Sequence, residues 1–204
     1  MSGLARRAEP SGATAAALAH RRRAIPNGIW GALLFVATET ALFGTLIGSY
    51  FYLRFTSSQW PQGGVAAPSV ALPLALTAAL VLTTAPVLLG ARAARAGRRD
   101  NAIALFALAL AVQASYLAWQ IVALHDDLQR FSPRATAYGA IYVTLLVLHH
   151  AHVALGLALE GWLIARLSRG LTRYRVTTAQ VVAIYWVFVN AVAIAVVATQ
   201  VSPS

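Results

Sequence analysis

Residues 27–54, NGIWGALLFVATETALFGTLIGSYFYLR, decide how this chain folds. About twenty apolar residues follow one another there, with one carboxylate, Glu39, in their midst. A run of that length crosses the ~30 Å hydrocarbon core of a bilayer as a single helix. A charge at the centre of such a span costs roughly 2.5–3.5 kcal/mol on insertion scales and is by default a functional residue. The rest of the chain must explain how Glu39 is tolerated and what it does.

The chain outside this stretch is built in the same way. Of 204 residues, 59% are hydrophobic and 11% charged, and the mean hydropathy is +0.66. Soluble domains carry about 25% charged residues, so the composition is that of an integral membrane protein. No polar stretch is long enough to bury a core of its own. The net charge of +10 comes from Arg alone. In a soluble protein it would suggest nucleic acid; here the arginines separate apolar runs and suit membrane topology and anionic headgroups, so no nucleic-acid partner is expected. With no Cys, disulfides and thiolate metal sites are excluded. The first apolar run is too long for a signal peptide and lacks a small-residue cleavage site.

The expected fold class is all-α, with five transmembrane helices. A basic tail occupies residues 1–26, with a short helix expected over Ala13–Arg23. A five-helix bundle covers 27–200, with spans at about 27–53, 69–91, 101–124, 137–165 and 178–199. Pro86 should kink the second span. GARAARAGRRD reads as a basic loop after it, and HDDLQRFSPRAT, His125–Thr136, as a polar loop after the third. Thirteen of the sixteen arginines fall in the N-terminal tail and the loops after spans two and four; Arg54, Arg130 and Arg134 fall on the other side. The positive-inside rule then places the N-terminus in the cytoplasm and the C-terminus outside.

Inside the membrane, few polar residues remain. Glu39 lies about twelve residues, roughly 18 Å, from the start of its span. The fourth span carries His149, His150 and His152. His149 and His152, at i and i+3, share a face, and His152 lies about fourteen residues in from Arg166, close to the depth of Glu39. A contact from Glu39 to His152 or His149 is therefore expected. Either a hydrogen-bonded structural carboxyl or a proton- or lipid-linked one fits these residues. Glu160, two turns beyond His152, is near enough to the boundary to reach water or an Arg. Gly44 and Gly48 form a GxxxG pair, read first as packing within the bundle. The His and Glu residues are too few for a di-iron site, and no nucleophile is paired with a base. No catalytic residue and no bound metal are expected.

These residues give the chain a family likeness. It resembles subunit III of the haem–copper terminal oxidases, the cytochrome c oxidases and their quinol-oxidase relatives. The first span is similar to the family's Trp-x4-Phe-x3-Glu-x3-Phe motif followed by an aromatic pair and Arg, here Trp30, Phe35, Glu39, Phe43, Tyr50, Phe51 and Arg54. The fourth is similar to its Tyr-Gly…His-Gly-Leu-His-Val…Gly pattern, here Tyr138, Gly139, His149, His152, Val153 and Gly156. The five-span layout matches the short bacterial form. Two departures stand out. The last span reads Tyr185, Trp186, Val187, Phe188, Val189, Asn190 where the family has Tyr-Trp-His-Phe-x-Asp, and the third has Gln120 without the accompanying Glu.

The resemblance implies a subunit that holds no haem or copper; those sit in partner subunits. It implies packing on subunit I, assembly with subunit II, bound phospholipid in a cleft between helices one–two and three–five, and support of proton uptake, in a bacterial plasma membrane. Glu39 becomes the buried proton- or lipid-linked carboxylate, His149 and His152 a structural polar pair, and Trp30, Phe35, Phe43 and Arg54 motif and lipid-cleft residues. Two other functions share parts of the pattern: a five-helix accessory protein of nitric oxide reductase, and a small proton-coupled transporter, which the lack of inverted repeats disfavours.

Overall fold

A computed structural model of the protein describes residues 25–64 and 71–201. The N-terminal tail up to Ala24, with its expected helix over Ala13–Arg23, and the first residues of the second span, Ser69 and Val70, lie outside the described residues. The described residues form helices and no strands: α1 (Asn27–Thr56), α2 (Ala71–Leu82), α3 (Thr84–Arg95), α4 (Arg99–Arg130), α5 (Ala137–Leu167) and α6 (Arg173–Val201). Five stretches are long and apolar enough to cross a membrane, α2 and α3 together making one of them. Helix is the form in which an apolar run satisfies every backbone N–H and C=O internally, which lipid demands.

The second span breaks at Thr83. Pro86 has no N–H for the carbonyl of Leu82 and its ring crowds that carbonyl. The chain instead turns tightly, with Thr83 N and Oγ1 both donating to the Leu80 carbonyl at 3.0 and 2.6 Å, and the helix resumes with Val87 N on the Thr83 carbonyl at 3.1 Å. The basic loop after it is shorter than the sequence suggests. α3 continues through Gly90, Ala91, Ala93 and Ala94, all buried, because these small residues let it close on α4. It ends in a reversal at Gly97 (φ 76°), with Arg98 N bonded to Ala93 O and Gly97 N to Ala94 O. α4 likewise runs on through His125, Asp126 and Asp127 to Arg130; those residues are helical rather than loop. Thr136 caps α5, its hydroxyl accepting from Gly139 N at 3.0 Å.

The packing is a square of four spans with a fifth outside it. The α2–α3 span touches α4 and α6, and α5 also touches α4 and α6, while α4 and α6 sit on a diagonal and do not meet. α1 rests in the seam between α5 and α6 and, among the described residues, touches no other helix. In the most apolar stretch of α6, 61% of residues are buried; in that of α1, 6% are.

Candidate functional site

The inner face of α1 is a stripe at helical spacing: Ile29, Val36, Glu39, Phe43, Ile47 and Tyr50, of which Phe43 and Tyr50 are fully buried. Docking this stripe on α5 brings Glu39 Oε2 to 3.1 Å from Nε2 of His152. The side chains are 19% and 11% exposed. Aromatic rings enclose the pair. Phe43 meets the imidazole edge-on at 5.1 Å between centroids, and Phe188 of α6 lies at 6.2 Å. Tyr185 donates its hydroxyl to the His152 carbonyl at 2.8 Å, and Phe35 stacks on the Tyr185 ring at 6.3 Å.

The hydrogen bonds fix the chemistry of the pair. Nδ1 of His152 lies 2.8 Å from the Leu148 carbonyl, which can only accept, so Nδ1 carries a proton. Nε2 and Glu39 Oε2 then hold one further proton between them, as a neutral O–H···N pair or as an N⁺–H···O⁻ ion pair. Either form satisfies both groups, which is how a mid-span carboxyl is tolerated.

The two histidines of the expected polar pair turn to different neighbours. His149 is buried and its Nε2 lies 3.2 Å from the Tyr116 hydroxyl of α4, which also accepts from Gln120 Nε2 at 3.1 Å. Three residues along a helix leave a rotation of about 60°, enough to carry His152 to α1 and His149 into the square. Glu160 also departs from expectation. It lies on the stripe Val153, Gly156, Glu160, Leu163, Leu167, which faces the centre of the square, and is fully buried. Among the described residues its carboxyl meets no Arg; the polar group beside it is the Trp186 indole. Gly156 makes room for that indole, since a Cβ there would sit 2.7 Å from Trp186 Cζ2.

The divergent last-span positions are both placed. Asn190 is buried and donates to Thr84 Oγ1 at 2.7 Å, tying α6 to the break in the second span. Beside it Gln113 donates to Thr83 Oγ1 at 3.1 Å. Val187 lies on the wall of a groove of about 650 Å³ between α1 and α3, floored by α6. The groove separates span one from span two, not spans one–two from three–five. Val36, Thr40 and Ile184 line its length, and Arg92 and Arg95 stand at one end. Trp30, Phe35, Phe43 and Arg54 do not line it. The GxxxG pair is also reassigned. Gly44 and Gly48 lie off the inner stripe, and a Cβ added to either would meet no atom of the described residues within 4 Å, so they take no part in packing within the bundle. Tyr185 and Phe188 appear in the sequence only as matches to the last-span pattern, with no role attached, and Tyr116 and Thr84 are not marked at all, because a lone aromatic or hydroxyl side chain in an apolar run does not announce its partner.

Among the described residues, no three His, Cys, Asp or Glu side chains gather as metal ligands would. The family model for cytochrome c oxidase subunit III matches residues 12–199. The cytochrome bo(3) ubiquinol oxidase subunit 3 of Pseudomonas aeruginosa is 27% identical over 174 residues, covering 83% of this chain and 82% of its own. The cytochrome c oxidase subunit 3 of Alkalihalophilus pseudofirmus is 28% identical over 175 residues, covering 81% and 82%.

Proposed function

The chain belongs to the cytochrome c oxidase subunit III family, and from that membership we propose that it is the non-redox subunit III of an aerobic haem–copper oxidase in a bacterial plasma membrane. It assembles with subunits I and II, which carry the haem and copper, and it supports proton uptake and stability of the complex without an active site of its own. Its N-terminus lies in the cytoplasm, on the side of the Arg-rich turns.

One observation carries this reading: Glu39 of the first-span motif and His152 of the fourth-span motif meet at 3.1 Å, so the two halves of the family pattern form one site. Packing on subunit I is supported by the outer face of α1, where Trp30 (53% exposed) and Leu34 (67%) stand outward beside the open Gly44 and Gly48. Small residues let another helix approach closely in lipid. Phospholipid binding is supported by the groove, whose apolar walls suit an acyl chain and whose Arg92 and Arg95 suit a phosphate.

Affinity purification of the tagged chain from its native membrane tests the assignment. Haem-containing subunits and phospholipid should come with it, and Arg92→Ala/Arg95→Ala should lose lipid, read by native mass spectrometry, while keeping the subunits. A chain that purifies alone, with no haem absorbance, overturns the reading.

A further inference from the structure

We propose that the pocket at the end of the bundle away from the Arg-rich turns is the mouth of a blind, water-binding vestibule whose floor is His149 and His150 at mid-membrane.

The pocket, about 140 Å³, has room for several waters. Asp126, Asp127, Gln120, Tyr142, Leu146 and Gln200 line it. Asp127 Oδ2 accepts from the Tyr142 hydroxyl at 2.8 Å. Two lines of residues run inward from this lining. On α4, Gln120 passes to Tyr116 and on to His149 by hydrogen bonds of 3.1 and 3.2 Å. On α5, His150 lies one turn deeper than Leu146 on the same face.

The imidazoles at the bottom are unsatisfied. His150 is only 7% exposed, and among the described residues neither of its ring nitrogens has a hydrogen-bond partner; nor does His149 Nδ1. The Tyr116 hydroxyl accepts from Gln120 and shares a hydrogen bond with His149 Nε2, so in either tautomer His149 Nδ1 is left without a partner among the described residues. These unpaired nitrogens belong to neighbouring imidazoles whose ring centroids are 6.0 Å apart. Leaving such groups dry in a membrane core is costly, and polar sites with room take up water. Further along α5, Val153 and Gly156, the latter closed by the Trp186 indole, offer nothing polar, so the vestibule ends at the histidines.

Hydroxyl-radical footprinting of the full-length protein in lipid nanodiscs, read by mass spectrometry, reports side chains beside bound water. His149, His150 and Tyr116 should be modified at least about fivefold faster than Phe106, which is buried in the same bundle but not beside the pocket. Leu146→Trp, which fills the passage above His150, should lower modification of His150 several-fold and leave exposed His125 unchanged. The proposal is overturned if wild-type His149 and His150 react no faster than Phe106, a comparison that needs no variant. It is equally overturned if folded Leu146→Trp protein is modified at His150 as the wild type is.

Discussion

Breaking the Glu39–His152 bond tests whether it holds α1 in place. Among the described residues α1 touches only α5 and α6, and its polar contacts in that seam are this pair at mid-span and Tyr50 on the Thr199 carbonyl near its end. Glu39→Leu leaves Nε2 of a largely buried imidazole, 11% exposed, with nothing to bond, a loss of about 1–3 kcal/mol. His152→Leu strands the carboxyl instead, at about 3–5 kcal/mol if the carboxyl stays charged. Glu39→Gln is the mild case, because the amide N–H can donate to Nε2 while Nδ1 stays on the Leu148 carbonyl; it should cost about 1 kcal/mol. The double leucine variant removes both groups and should fall short of the summed single losses by at least about 1 kcal/mol. Unfolding in mixed micelles titrated with SDS, followed by circular dichroism, gives each value. Glu39→Leu within about 0.5 kcal/mol of wild type, or strict additivity of the two leucine exchanges, would refute the reasoning.

Gly156→Ala should destabilise the bundle by about 1–3 kcal/mol by overpacking, since the new methyl would sit 2.7 Å from the Trp186 indole; Trp186→Leu in the same chain should recover part of the loss in the same titration. Arg99→Ala removes the guanidinium that caps α5 through the Leu167 and Ser168 carbonyls at 3.1 and 2.7 Å. The cost should be about 1 kcal/mol, seen as faster amide exchange over residues 168–172 with the helix cores unchanged. Tyr50→Phe takes away both the bond to the Thr199 carbonyl at 2.6 Å and the acceptor for Trp60 Nε1 at 3.2 Å; a shifted Trp fluorescence and about 1–2 kcal/mol of lost stability should follow.

The spans are legible because lipid imposes one demand on every backbone group, and a run of apolar residues announces where that demand applies. Their ends are not, because hydropathy reports only the part of a helix that lies in hydrocarbon: His125–Asp127 continue α4 although nothing apolar marks them. Depth is also legible by counting, which is why Glu39 and the histidines can be set at one level. Which histidine Glu39 meets depends on rotation about α5 and on the side from which α1 docks. That sideways arrangement is written in no single helix. The same holds for Gln113 with Thr83 and Asn190 with Thr84, bonds between spans distant in sequence that exist only because Pro86 breaks the helix at that level.

The position of α1 also has a consequence for how the protein is made. α1 is the first of the described spans to leave the ribosome, yet the helices that receive it are the last two. Glu39 and His152 are 113 residues apart, so at about 5–20 residues per second the carboxyl waits roughly 6–20 s for its imidazole. During that interval the helix must be retained in or beside the insertion machinery with its acid unpaired.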